Sequence, residues 1–121
     1  MRRIGTVAAA VGLGLVAGTA RAQALDNADA RCVAAMSFAV GVITDEKVKV
    51  AASLADFYFI GKLDGRATAG DLEARMRAEA AAMTPASLKA EIDRCTAEFT
   101  KRSGEISLIG EHLKTKPVGG P

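Results

Sequence analysis

The feature that most constrains the fold is a pair of cysteines, Cys32 and Cys95, the only two in a chain of 121 residues. In an oxidising compartment they have one intramolecular pairing available. A bridge would close a loop of about 64 residues and stabilise the fold by roughly 4 kcal/mol. A C-x-x-C redox motif is absent, and two cysteines with one distant histidine do not make a zinc site. We therefore predict a structural disulfide.

The first 24 residues have the layout of a secretory signal peptide. Arg2 and Arg3 form a positive start, residues 4–18 are uncharged and mostly apolar, and two small-x-small triplets follow within residues 20–24. The apolar segment falls short of the about 20 residues that a bilayer-spanning helix needs. We expect general secretory export to the periplasm, with no membrane span after cleavage; the alternative is an uncleaved membrane anchor.

Cleavage at either triplet gives a mature chain that begins at Gln23 or Leu25. The whole chain carries 16 basic and 14 acidic residues. Removal of Arg2, Arg3 and Arg21 leaves 13 basic residues against the same 14 acidic ones, a net charge of −1. Since no basic excess remains, and no basic stretch is interleaved with aromatics, we expect no nucleic-acid partner.

The mature region, residues 25–113, indicates a series of capped helices without a convincing strand. We predict a first helix over 26–43, in which Asp26 and Asp29 suit the positive end of the helix dipole. A second helix is predicted to start after Thr44 as N-cap and to continue to about residue 63. It is apolar over most of its circumference, which is typical of a central helix.

Boundary signals separate the later helices. Gly65 can take the left-handed conformation that ends a helix. Thr68 and Asp71 resemble a capping box that opens a third helix, which continues to about Met83. Thr84-Pro85 is the clearest boundary, because it combines a cap with proline at the first helical position.

The fourth helix carries apolar residues at alternating steps of four and three, which is the spacing of one helix face. The step at Arg102 is missing and Gly104 follows, which predicts a bend or a break into a fifth helix. Residues 114–121 are expected to form a disordered tail. The predicted fold class is therefore all-α: one bundle of four helices, or five, stapled by the disulfide. The apolar positions are Leu88, Ile92, Cys95, Phe99, Ile106, Ile109 and Leu113.

Three consecutive aromatics, Phe57, Tyr58 and Phe59, are the main candidate for a binding surface. Neighbouring residues on a helix point about 100° apart, so the three rings cannot face one way. One interpretation places two rings in the core and the third beneath a neighbouring helix. The other leaves an apolar surface at these residues for a ligand or client.

Candidate catalytic groups are scarce. His112 is the only histidine and lies near the end of the last helix, where an exposed imidazole is favoured. Without a second histidine, and with both cysteines expected to be bonded, the sequence offers no nucleophile and base pair. We predict that the protein is not an enzyme and has no cofactor and no metal.

Two resemblances follow from these motifs. Cys32, the Thr84-Pro85 helix start and Cys95 look like small periplasmic acid-stress chaperones of the HdeA type. That family implies a disulfide between an early helix and the Thr-Pro helix, a homodimer at neutral pH and apolar surface exposed by acid. The segment 57–66, FYFIGKLDGR, with Asp71-Leu72 after it, resembles small exported helical proteins of proteobacteria that have no assigned activity.

These observations lead to one hypothesis with two alternatives. The leading hypothesis is a non-catalytic, exported helical module that binds a protein partner or a second copy of itself. One alternative is the acid-stress chaperone. The other is a small carrier of apolar ligands, with residues 57–59 lining a cavity between helices.

Overall fold

The computed structural model of the protein describes residues 13–115 and Gly119; residues 1–12 and most of the predicted tail at 114–121 lie outside the described part. The described residues contain four helices and no strand, so the predicted all-α class is confirmed. Helix α4 continues through Gly104, and the alternative of a fifth helix is not seen in this part of the chain. The helices are α1 (Leu13–Val42), α2 (Glu46–Gly65), α3 (Leu72–Ala82) and α4 (Pro85–Lys114).

Helix α1 is longer than the sequence predicted. It begins at Leu13 rather than near Asp26, because the intervening segment is rich in alanine and contains no proline that would end the helix. Residues 18–25 are all exposed, and burial begins at Asp26. The two predicted cleavage sites therefore lie in the exposed part of α1, ahead of the first residue that enters the core.

The predicted start of α4 is confirmed. The Thr84 hydroxyl accepts the backbone N–H of Ser87 at 3.1 Å, and the Ser87 hydroxyl accepts the backbone N–H of Thr84 at 2.8 Å. Pro85 occupies the first turn, where its missing N–H would have had no partner within the helix.

The caps of α2 and α3 differ from those predicted. Asp45, not Thr44, caps α2, and its carboxylate accepts two backbone N–H groups of the first turn. Asp71 caps α3 by itself, without Thr68. A carboxylate is the stronger acceptor at the positive end of a helix. An available aspartate therefore displaces the nearby threonine at both positions.

The turn between α2 and α3 also differs. Two residues of this turn have a positive φ, Ala67 at 54° and Gly70 at 58°, and neither is the predicted Gly65. This conformation costs a non-glycine residue roughly 1 kcal/mol. The turn places Thr68 and Arg66 within reach of Asp26 on α1.

The predicted disulfide is present between Cys32 of α1 and Cys95 of α4, with Cα atoms 5.6 Å apart. Both cysteines are fully buried, and the bridge holds α1 against α4 as expected. Helix α3 contributes no fully buried side chain, so it covers one side of the bundle. The other members of the buried core come from α1 and α2: Ala30, Val33, Met36, Ala55, Phe59 and Leu63.

Candidate functional site

Helix α2 places the three consecutive aromatics in three different environments. Phe59 is fully buried, Tyr58 is half-buried, and Phe57 is 69% exposed. The Tyr58 ring lies edge-on to Phe59, with centroids 4.9 Å apart, and 5.9 Å from Phe99 of α4. Phe57 is therefore not packed beneath a neighbouring helix, which corrects one of the two interpretations. Of the three rings, it alone is mostly exposed.

Phe57 belongs to a row of exposed apolar side chains along α2. Val50, Leu54 and Phe57 follow one another at steps of four and three residues, and each is more than half exposed. Ala55 and Phe59, on the other side of α2, pack into the core with α1. We call Val50, Leu54 and Phe57 the outer stripe of α2, since it faces away from α1.

Helix α4 contacts α1 first and α2 afterwards. Near its start Glu91 pairs with Arg31 of α1 at 3.1 Å. Further along, Glu98 accepts a hydrogen bond from the Tyr58 hydroxyl of α2 at 3.2 Å. All residues of 106–114 are exposed. This segment, here called the α4 overhang, therefore extends past the last contacts of α4 with α2.

The α4 overhang continues the apolar face that packs on the core around Cys95. Ile106, Ile109 and Leu113 keep the spacing of three and four residues, and each is more than half exposed. Arg102, at the missing step of the pattern, pairs with Glu105 at 2.6 Å. The predicted amphipathic face thus has two parts, one covered by α1 and α2 and one covered by no described residue.

The two exposed stripes meet at a small cleft between α2 and α4. Tyr58 forms one wall, and Arg102 and Glu105 contribute to the other. Phe57 directly precedes Tyr58, and Ile106 directly follows Glu105. The end of the outer stripe and the start of the α4 overhang therefore lie on neighbouring helices beside this cleft. We call the six residues Val50, Leu54, Phe57, Ile106, Ile109 and Leu113 the apolar corner.

Two open apolar grooves lie elsewhere on the bundle. One, of about 340 Å³, lies among α1, α3 and α4 and is lined in part by Phe38, Met83 and Leu88. The other, of about 240 Å³, lies among α1, α2 and α4 beside Met36. In the described part of the chain, residues 57–59 line neither groove. The grooves therefore do not match the cavity expected for an apolar-ligand carrier.

Asp29 on α1 is a buried carboxylate with two cationic partners. It is only 3% exposed. One of its oxygens lies 2.7 Å from Nζ of Lys62, and the other lies 2.5 Å from Nη2 of Arg66. Lys62 also pairs with Glu98 of α4 at 2.6 Å. Burial opposes the charge on Lys62, but its hydrogen bonds to Asp29 and Glu98 outweigh this and raise the pKa of Lys62.

Asp26, one turn earlier on α1, is held in the same way. It is 8% exposed, pairs with Arg75 of α3 at 2.7 Å, and accepts a hydrogen bond from the Thr68 hydroxyl. Burial raises the pKa of Asp26, but the hydrogen bonds from Thr68 and Arg75 and the charges of Arg75 and Arg66 outweigh it. The net result is a pKa below the ordinary value.

This cluster links all four helices and was not foreseen from the sequence, where Asp26 and Asp29 were interpreted as helix-dipole residues. A signal was present, because both aspartates continue the 3–4 spacing of the core residues Val33 and Met36 toward the start of the chain. Charges at core spacing on one helix predict opposite charges on its neighbour. We call the cluster the charged junction: Asp26, Asp29, Lys62, Arg66, Thr68, Arg75 and Glu98.

Asp56 on α2 is a carboxylate with one buried oxygen that lacks a hydrogen-bond partner among the described residues. Its Oδ2 accepts the Ser37 hydroxyl at 2.8 Å, while its Oδ1 is buried and has no hydrogen-bond partner within this part of the chain. Burial raises the pKa of Asp56, and the hydrogen bond from Ser37 offsets the rise only in part.

The remaining chemical candidates give no further site. His112 lies exposed in the last turn of α4, where the sequence placed it. Among the described residues, Cys32, Glu91 and Cys95 are the one group close enough together to share a metal ion. Both sulfurs are bonded to each other, so neither is a thiolate that could bind one.

None of the helices in the described part of the chain combines the length and apolar character of a membrane span. Comparison with protein-family models, curated proteins and solved structures gave no match. The resemblances stated from the sequence therefore stay predictions, and the functional argument depends on the chain's own geometry.

Proposed function

We propose that the protein is a non-catalytic helical domain, exported to the periplasm, that binds a protein partner through the apolar corner. The observation that supports this is the exposure of six large apolar side chains, each by more than half, on two adjoining stripes. Contiguous apolar patches of several hundred Å² on a small protein mark interaction sites. Stripes at steps of three and four residues suit a partner helix.

A protein partner suits the corner better than a small molecule does. Small-molecule sites are concave and enclose most of the ligand around a few convergent polar groups. The apolar corner consists of two open stripes, and two of the groups that line the small cleft beside them, Tyr58 and Glu98, are hydrogen-bonded to each other. An extended apolar surface of this kind is buried efficiently by another helix.

Site-specific photo-crosslinking in the producing cell tests this proposal. A photoreactive amino acid replaces Ile109 in the full chain, and a matched variant carries it at Lys89, which is exposed on the first half of α4. We expect a covalent adduct with a protein at position 109 and none at position 89. Equal labelling at both positions, or no protein adduct at position 109, would overturn the proposal.

The charged junction supports acid-stress chaperoning as a second candidate. Protonation of Asp26 in acid would remove its ion pair with Arg75 and loosen the contact between α1 and α3. The test is a titration of the oxidised mature protein from neutral pH to pH about 2, with apolar dye binding and oligomeric state as readouts. Dye binding that begins below about pH 4, where carboxylates titrate, supports this candidate. A compact species that stays dye-silent excludes it.

A further inference from the structure

We infer that the partner of the apolar corner is a second copy of this chain. In this arrangement, the α4 overhang of each copy packs against the outer stripe of α2 of the other, about a twofold axis. The inference rests on the proposed function, because it identifies the occupant of the same surface. Four observations support the inference: the spacing of the stripes, their exposure, the charges beside them and the apolar area that they offer.

The two stripes have complementary spacing. Val50, Leu54 and Phe57 advance by four and then three residues, and the overhang residues advance by three and then four. Two helices whose apolar residues both repeat in this way can interdigitate along a shared seam. One chain thus carries both halves of a helix–helix contact.

The contact is not made within one chain. Phe57 and Ile106 lie nearest the cleft in their stripes, yet they are 69% and 61% exposed, so neither stripe is covered by the other. A twofold axis brings each stripe opposite the other kind of stripe in the partner copy. The contact then forms twice, which is the property of an isologous interface.

The charges beside the α4 overhang are neutralised locally. Arg102 pairs with Glu105 at 2.6 Å, and Lys114 pairs with Glu111 at 2.7 Å. These pairs close within one helix and leave no excess of either sign beside Ile109. The overhang can therefore approach another apolar surface without a net charge of its own opposing the contact.

The exposed area is that of a small but complete interface. An aromatic side chain such as Phe buries about 150–250 Å², and the five aliphatic side chains of the corner are smaller. Because each of the six is more than half exposed, together they offer on the order of 500–700 Å² per copy. A standard protein–protein interface buries about 800 Å² per partner, so the apolar corner supplies most of one side.

Sedimentation of the full mature, oxidised protein over a wide range of concentration tests the inference. We expect a monomer–dimer equilibrium for the natural chain. Ile109→Glu and Leu54→Glu each place a charge in one half of the contact and should weaken dimerisation by about tenfold or more. A natural chain that stays monomeric at every concentration would overturn the inference.

Leu108→Glu is the matched control. Leu108 lies on the same overhang with similar exposure, 62%, but points more than 100° away from the stripe of Ile106 and Leu113. This variant should dimerise like the natural chain. If it weakens dimerisation as much as Ile109→Glu does, the contact is not made by the proposed face.

Mixing tests the reciprocal arrangement. Leu54→Lys and Ile109→Glu are each expected to be monomeric alone. Mixed, they should form a heterodimer with one natural contact and one Lys–Glu contact; absence of a heterodimer contradicts the α2–α4 pairing. A photo-adduct at position 109 with a different protein, from a chain that sediments as a monomer, would overturn self-association and leave the proposed protein-binding function standing.

Discussion

The charged junction and the apolar corner depart from the usual distribution of side chains in opposite directions. At the charged junction, Asp26 and Asp29 are buried, and every carboxylate oxygen has a cationic or hydroxyl partner. At the apolar corner, six large apolar side chains are in water and no described residue covers them. The charged junction therefore buries carboxylates that have partners, and the apolar corner exposes apolar side chains that have none.

The difference between the two regions distinguishes groups that stabilise the fold from groups that remain free to bind. A buried charge cluster with all its partners present favours one arrangement of the helices over others, but it offers no unsatisfied group to a ligand. An exposed apolar stripe adds little to the stability of the monomer. The free energy gained by burying it therefore remains available to an interaction with a partner. This contrast supports the proposal that the charged junction holds the bundle and that the apolar corner is the binding surface.

The largest difference in stability is expected between Phe59 and Phe57, the two phenylalanines that flank Tyr58. Phe59→Ala removes a fully buried ring and should destabilise the protein by about 3–5 kcal/mol. Phe57→Ala truncates a ring that is mostly exposed and should change stability by less than about 0.5 kcal/mol. Urea unfolding of both variants, at a concentration where the protein is monomeric, measures the difference. Similar losses would mean that the outer stripe contributes to the core.

Removal of one buried carboxylate comes next. Asp29→Ala leaves Arg66 without its closest partner and Lys62 with Glu98 alone. Loss of one partner of a buried ion pair costs about 3–5 kcal/mol; both cations are partly exposed, so we expect roughly 2–3 kcal/mol. Glu73→Ala, which breaks an exposed pair within α3, is the control and should cost under about 0.5 kcal/mol. Equal costs would contradict the difference drawn between buried and exposed charges.

Acid should weaken the charged junction specifically. The pKa of Asp26 is lowered in the folded state from its ordinary value of 3.8. The stability it contributes is therefore complete above that value and is lost as the pH falls through the lower, folded-state pKa. Unfolding free energies measured at successive pH values should fall in this acid range. Asp26→Asn should flatten the dependence, and an identical slope in this variant would exclude Asp26 as the cause.

Asp56 should respond in the opposite sense. Burial raises its pKa, so its ionised form opposes folding at neutral pH, and the penalty is removed as the carboxyl becomes protonated. Asp56→Asn should stabilise the protein at pH 7 by less than about 1 kcal/mol, because the half-buried group is partly screened by water. The gain should disappear in acid. A stability loss at pH 7 would show that the Ser37 hydrogen bond depends on the charge.

The smallest effect should come from removal of the α4 overhang. A chain that ends at Glu105 keeps the disulfide and the contacts of α4 with α1 and α2. Its thermal stability as a monomer should stay within about 0.5 kcal/mol of that of the natural chain, while its self-association is lost. Measurement at low and high concentration separates the two effects. A large loss at low concentration would assign the overhang to the monomer fold.

The sequence predicts the fold better than it predicts the site, for physical reasons that individual residues show. Thr84-Pro85 acts on the residues next to it, so the start of α4 could be predicted. The two cysteines have one possible pairing, so the disulfide could be predicted as well. Asp26 was misinterpreted because a charge at core spacing has meaning only once Arg75 and Arg66 are known to lie opposite. The exposure of the overhang was equally hidden, since Leu113 has the same spacing whether or not a neighbour covers it.

Amide hydrogen exchange as a function of protein concentration tests most directly whether the apolar corner is the surface that binds a second copy. The overhang amides at 106–113 should exchange quickly at low concentration and gain protection as concentration rises. The amides at 26–36, which lie in the core and the charged junction, should be protected equally at every concentration. Exchange in the overhang that does not depend on concentration would contradict a second copy as its partner.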